Sequence, residues 1–154
     1  MAGTRILPAG MRRGVALFNE GRYYAAHEEM ELAWRATLGE ERLFYQGLIQ
    51  AAVALWRVTR GDATIALTMV CRALPKLRQF APEFRGLDVV RLVNDLLYVR
   101  DQLLALGEAH VAEFDPRQLP RLHGPAADEP RRGGRRAVFG GARCAQRGFR
   151  ATIN

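Results

Sequence analysis

Apolar residues recur at three- and four-residue steps along most of the first 107 residues, and this spacing predicts an all-α protein. Gly21, Gly39, Gly61 and Gly107 interrupt the pattern where helices would end. The predicted helices span 11–20, 23–38, 40–60, 63–79 and 89–106. No segment shows apolar–polar alternation bounded by turn residues, so we expect a single-domain bundle of about five helices without a substantial sheet.

Two aspartates and one proline refine these boundaries. Asp62 and Asp88 stand immediately before the fourth and fifth helices, where a side-chain oxygen can accept hydrogen bonds from the first free amides. Pro75 lies inside the fourth helix and lacks an amide hydrogen, so it is expected to kink that helix or end it one turn early.

The helical pattern fades after residue 107. We therefore expect a bundle domain at 11–107, followed by an extended tail at 108–154 that is rich in arginine and glycine and disordered. The net charge of +7 is concentrated in this tail: residues 126–154 carry seven arginines and two acidic residues, whereas residues 1–125 carry 16 basic and 14 acidic residues. Nucleic-acid binding is therefore expected only through the basic tail, if at all.

Chemistry-bearing side chains concentrate on the second and third predicted helices. His27 and Glu31 share one side of the second helix, and Gln46 and Gln50 share one side of the third, because residues four apart are neighbours on a helix. The short link at Gly39 favours antiparallel packing of the two helices, which would bring these pairs opposite each other inside the bundle. The candidate ligand-binding residues are Tyr24, His27, Glu28, Glu31, Trp34, Arg35, Gln46 and Gln50. The same residues also suit a purely structural hydrogen-bond network, because buried polar groups are normally paired.

Two other interpretations of these helices stay open. His27 and Glu31 are four residues apart and could share a divalent cation, with Glu28 as the base of a metal-assisted hydrolase. Zinc proteases have a second histidine at the position of Glu31, and predicted helices 3 to 5 contain no histidine that could serve as a further ligand. The first hypothesis therefore includes no cofactor. Alternatively, Tyr45 and Trp56 could form one face of a dimer.

Three groups of residues, taken together, resemble a known bacterial and archaeal family, domain of unknown function 309. They are Phe18-Asn19-x-Gly21-x-Tyr23-Tyr24-x-Ala26-His27-Glu28-x-x-Glu31-x-x-Trp34-Arg35, then Arg42-x-Phe44-Tyr45-Gln46-Gly47-Leu48-Ile49-Gln50 with Arg60-Gly61-Asp62, and Gly86-Leu87-Asp88. The resemblance covers about residues 12–106. It implies a small helical bundle that self-associates, with no activity attached, and a polar signature at His27, Glu28, Glu31, Arg35, Gln46 and Gln50. Pro75 departs from the family pattern.

The prediction is therefore a homodimeric binding or assembly module rather than a demonstrated enzyme. The two cysteines, Cys71 and Cys144, lie far apart without a paired spacing, which favours a reducing, cytoplasmic setting. The longest apolar run, 43–56, is interrupted by glutamines and is too short to span a bilayer, so no membrane partner is expected.

Overall fold

The computed structural model describes residues 6–128 and shows five α-helices that pack in chain order. The helices are α1 (Ala9–Asn19), α2 (Tyr23–Arg35), α3 (Glu41–Thr59), α4 (Ala63–Arg78) and α5 (Val89–His110). Each helix packs mainly on the next one in the sequence. The all-α bundle is thus confirmed, and among the described residues none of the helices is long and apolar enough to cross a membrane.

One feature of the fold was not expected from the sequence: a two-stranded antiparallel hairpin between α4 and α5. Strands β1 (Glu83–Phe84) and β2 (Leu87–Asp88) pair through Phe84 and Leu87. Arg85 and Gly86 form the two-residue loop, and both have positive φ angles, +52° and +78°. Such short strands give too few alternating positions for a sequence pattern to reveal them.

Two equivalent glycine turns build the bundle as a pair of helical hairpins. Gly21 ends the α1 segment and Gly61 ends the α3 segment, with φ angles of +77° and +76°. In each turn the amide after the glycine donates to a carbonyl five residues back, from Arg22 to Leu17 at 2.9 Å and from Asp62 to Arg57 at 3.0 Å. This is the hydrogen-bond pattern of a Schellman cap, which requires the left-handed conformation that glycine adopts without steric cost.

The predicted aspartate caps are confirmed. The Asp62 carboxylate accepts from the Ile65 amide at 3.0 Å at the start of α4, and the Asp88 carboxylate accepts from the Arg91 amide at 2.9 Å at the start of α5. Gly107, where the fifth helix was predicted to end, interrupts α5 with a φ of +63°, and a further helical turn continues to His110.

The second helix ends earlier than predicted, at Arg35 rather than at residue 38. The Thr37 hydroxyl donates to the Ala33 carbonyl at 2.8 Å, and the Arg42 guanidinium donates to the Trp34 and Thr37 carbonyls at 3.4 and 3.3 Å. These side chains donate hydrogen bonds to carbonyl groups that lack a partner within the helix, and they therefore stabilise the helix end at Arg35.

Of the two effects expected of Pro75, a kink or an early end, the early end does not occur, because α4 continues through this residue to Arg78. Pro75 lies on the exposed side of α4, so the Cys71 carbonyl that loses its amide donor remains open to water. Nearby side chains also bond to the backbone: Lys76 Nζ donates to the Arg72 carbonyl at 3.0 Å, and Gln79 Nε2 donates to the Pro75 carbonyl at 3.1 Å.

The packed body extends past the predicted domain boundary at residue 107. Val111, Phe114 and Leu122 are buried in the same core as the five helices. Two short 3-10 helices, Val111–Glu113 and Pro116–Gln118, lead into a segment that returns across the bundle. The disorder predicted for the rest of the tail concerns residues 129–154, which lie outside the described part of the chain.

Reciprocal hydrogen bonds hold this returning segment in place. Asn19 Nδ2 donates to the Leu122 carbonyl at 2.9 Å, and the Leu122 amide donates to Asn19 Oδ1 at 2.7 Å. The Asp88 amide donates to the His123 carbonyl at 2.8 Å, and the Ala126 amide donates to the Gly86 carbonyl at 2.9 Å. The end of α1 and the hairpin therefore both anchor the segment.

We predict that Asn19→Ala releases residues 119–128 before the helices unfold. The substitution removes both hydrogen bonds to Leu122 and should lower the free energy of unfolding by about 1–3 kcal/mol. Hydrogen exchange should show faster exchange of the Leu122 amide, with the amides in the middle of α3 as an internal control. Unchanged exchange at Leu122 would contradict the anchoring role of Asn19.

A second prediction concerns Asp95 on α5. Burial raises the pKa of Asp95 from 3.8 to about 6, because desolvation penalises its charged form; Arg91 lowers this pKa and Asp88 raises it. The folded state then holds the Asp95 proton more tightly than the unfolded state. Its contribution to stability is therefore present at low pH and is lost as the pH rises from about 4 to about 6.

Asp95→Asn should remove that pH dependence. The variant should gain stability relative to the wild type as the pH rises through this window, and the difference should level off above it. Urea denaturation of both proteins at several pH values between about 4 and 7 measures this difference directly. A constant difference at all these pH values would show that Asp95 titrates normally.

Candidate functional site

The α2–α3 face is the outer surface along the seam between these two helices. It consists of Tyr24, His27, Glu31, Trp34 and Arg35 on α2, and of Arg42, Gln46, Gln50, Trp56 and Arg57 on α3. Two contacts fix the register: the Tyr24 and Trp56 ring centroids are 5.0 Å apart, and the Arg42 guanidinium lies 4.0 Å from the Trp34 ring centroid. The start of α2 thus meets the end of α3, as expected for antiparallel packing.

This register places the predicted polar residues at matching levels along the seam. Counting along the two helices from these end contacts puts His27 near the level of Gln50, and Glu31 near the level of Gln46. The expectation that they lie enclosed inside the bundle is wrong, since all four of these side chains are partly exposed. The buried side of α3 is filled by apolar and small residues, and Gln46 and Gln50 belong to the opposite, half-exposed side of this helix.

His27 and Glu31 form the centre of the face. The His27 Nδ1 atom lies 2.8 Å from the Tyr24 carbonyl oxygen, and His27 Nε2 lies 3.8 Å from Glu31 Oε2. The other oxygen of Glu31 is 3.5 Å from Arg35 Nη2. Since His27 is one-fifth exposed and Glu31 somewhat more, both groups can be reached by a molecule bound at the surface.

A row of aromatic and cationic side chains crosses the seam beside this pair. The Tyr24 ring contacts the His27 ring edge-on, with centroids 4.9 Å apart, and contacts Trp56 on its other side. The Arg57 guanidinium lies over the Trp56 ring at 4.8 Å from its centroid, and it is 3.4 Å from an Asp62 carboxylate oxygen. Tyr24 is 48% exposed although two rings support it, so it presents a rigid aromatic surface to solvent.

Three polar atoms on the face have no hydrogen-bond partner. They are Trp34 Nε1, Gln50 Oε1 and Arg57 Nε, which are buried from solvent within partly exposed side chains. An unpaired buried donor or acceptor costs free energy, so a rearrangement that paired these atoms would be favourable. The face therefore has unused hydrogen-bonding capacity next to its aromatic row.

The remaining predicted residues occupy the outer margin of the face. Glu28 is exposed on α2, one residue beyond His27, and Arg35 is exposed at the end of α2, where it pairs with Glu31. Gln46 is half-buried on α3. Tyr45, expected as part of a dimer face, is instead fully buried; its hydroxyl donates to Glu41 at 3.4 Å, and burial raises its pKa.

The described residues offer no complete metal centre. No group of three or more His, Cys, Asp and Glu side chains in residues 6–128 is arranged to hold a metal ion. His27 and Glu31 alone supply two ligands, whereas a catalytic zinc uses three protein ligands. The hydrolase hypothesis, in which Glu28 is the base, therefore has no complete metal site within this part of the chain.

Sequence reasoning missed two contacts that define the ends of the face. They are the contacts of the Arg42 guanidinium with the Trp34 ring and of the Arg57 guanidinium with the Trp56 ring. Four-residue spacing identifies pairs within a helix, such as His27 with Glu31, but contacts across the seam depend on the packing register.

Two comparisons with known proteins each match part of this chain. An uncharacterised protein of Aquifex aeolicus (strain VF5) is 36% identical over 73 residues, which cover 47% of this chain and 22% of that protein. The chain thus spans less than a quarter of that relative's length. Residues 11–69 match the model of the family described as Domain of unknown function (DUF309), and this match confirms the family resemblance over α1, α2, α3 and the first part of α4.

Proposed function

We propose that this protein is a binding and assembly module that self-associates through the α2–α3 face. The observation that carries the proposal is Tyr24, a large aromatic side chain that is half-exposed yet held between His27 and Trp56. A supported aromatic ring loses little conformational entropy when a partner covers it, so it contributes efficiently to binding.

The composition of the face supports the same proposal. Protein interfaces concentrate their binding energy in a few tryptophan, tyrosine and arginine side chains near the centre of the contact. Here Trp56 contacts both Tyr24 and Arg57, and Trp34 contacts Arg42 at the other end of the seam. Charged groups such as Arg35 and Asp62 would then lie beside these aromatic contacts as the polar part of the interface.

The distribution of charge is compatible with a second copy as the partner. Both sides of the face carry charged residues: Glu28, Glu31 and Arg35 on α2, and Arg42 and Arg57 on α3. A two-fold dimer brings the same surface of both copies together, so each copy presents both signs of charge to the other. The homodimer predicted from the family resemblance is thus compatible with this surface.

The other functions proposed from the sequence have less support. The hydrolase hypothesis needs a further metal ligand beyond those that residues 6–128 bring to His27 and Glu31. Nucleic-acid binding would depend on the arginines between 131 and 150, which lie outside the described residues. A cytoplasmic location stays a prediction; the free, exposed thiol of Cys71 is compatible with it.

We predict that Tyr24→Ala weakens self-association by about tenfold or more, because it removes a large, supported aromatic side chain from the face. Sedimentation velocity over a concentration series measures the dissociation constant. The substitution should leave the fold intact, since half of the Tyr24 side chain is already in solvent.

Leu104→Ala is the matched control. Leu104 is also a large exposed apolar residue, at 62%, but it lies on α5, which packs on α4 rather than on the α2–α3 seam. The control should associate like the wild type. Equal weakening by both substitutions, or a wild-type chain that stays monomeric throughout the series, would contradict the proposal.

A further inference from the structure

We infer that His27 and Glu31 form half of a divalent-metal site, which a second copy of the chain completes across the α2–α3 face. The inference rests on the proposed self-association and adds a ligand to it. The site differs from the hydrolase hypothesis because its metal ion joins two copies and requires no base, substrate or reaction.

The hydrogen bond at Nδ1 determines which His27 nitrogen is available. A carbonyl oxygen only accepts hydrogen bonds, so the 2.8 Å contact with Tyr24 requires the proton to be on Nδ1. In the neutral ring, Nε2 then carries the free lone pair, and it is on the side of Glu31. A histidine whose other nitrogen donates to a backbone carbonyl is oriented as metal-binding histidines usually are.

The spacing of the two ligands suits a transition metal with small adjustments. His27 Nε2 and Glu31 Oε2 are 3.8 Å apart, which is beyond hydrogen-bond distance. Two ligands bound at about 2.0–2.1 Å to a tetrahedral zinc ion are about 3.3 Å from each other. Because Glu31 is partly exposed, a small rotation of its side chain closes the difference, while Arg35 remains close to its other oxygen.

One copy cannot complete the coordination sphere from its described residues. No third His, Cys, Asp or Glu side chain in residues 6–128 joins this pair. A second copy related by two-fold symmetry supplies an identical pair, because both copies use the same surface. Two imidazoles and two carboxylates make four ligands, a tetrahedral set of the donor types that zinc accepts.

The charges near His27 allow the same arrangement. If the α2–α3 faces of two copies meet there, their two Glu31 carboxylates approach each other, each with Arg35 beside its other oxygen. A divalent cation between them attracts the two carboxylate oxygens that face it, and the two neutral imidazoles add no repulsion. The metal-free dimer should therefore be the weaker one.

The test compares the full chain after chelator treatment with the same protein supplied with zinc ions, using sedimentation velocity to measure dimer dissociation. Zinc should lower the dissociation constant of the dimer by about tenfold or more. Native mass spectrometry should find one zinc ion per dimer. His27→Gln and Glu31→Gln should each abolish the zinc effect, measured for each variant against its own dissociation constant in chelator.

His110→Gln is the matched control, because His110 forms another surface pair, with Glu113 at 3.1 Å. That variant should respond to zinc like the wild type. The inference is overturned if zinc leaves the dissociation constant unchanged, if one ion binds per monomer, or if His27→Gln still responds. A dimer that forms in chelator without any zinc response would contradict the metal site and leave the proposed association standing, whereas a monomer in every condition contradicts both.

Discussion

Helix α3 packs against α4 so closely at Gly47 that a Cβ atom there would lie 2.9 Å from the side chain of Leu77. The first hairpin has an equivalent contact, since a Cβ atom on Gly14 of α1 would lie 2.4 Å from Met30 on α2. Interiors packed this tightly tolerate little displacement. These two contacts fix the orientation of α2 and α3 about their axes and so determine which side chains remain on the outer surface.

The α2–α3 face follows from that constraint. Because the small and apolar residues of α3 face α4 and the core, its glutamines and arginines are left along the seam with α2. Tyr24, His27 and Glu31 lie on the matching side of α2. The polar residues are therefore half-exposed rather than enclosed, a position better suited to contact with another molecule than to the core of a single copy.

The parts of the fold that depend on local chemistry were predictable from the sequence. Gly21 and Gly61 mark the hairpin turns because the cap needs a positive φ angle, and Asp62 and Asp88 mark helix starts because their carboxylates accept free amide hydrogen bonds. Among the site residues, the four-residue series from His27 through Glu31 to Arg35 was recognisable for the same reason.

The parts that depend on distant contacts were not predictable. The segment around Leu122 has no helical period, and it is ordered by hydrogen bonds to Asn19, 103 residues away in the sequence. The contact between Tyr24 and Trp56 likewise depends on the register between two helices. Periodicity assigned His27 and Gln50 to faces of their helices, but it could not give the depth at which those faces lie.

The measurement that tests the central claim most directly is acrylamide quenching of tryptophan fluorescence as the protein is diluted. The chain has two tryptophans, and both Trp34 and Trp56 lie on the α2–α3 face. If this face joins two copies, quenching should be weak at concentrations where the protein is associated and should increase as dilution separates the copies. Quenching that stays constant while the protein dissociates would show that the copies meet through another surface.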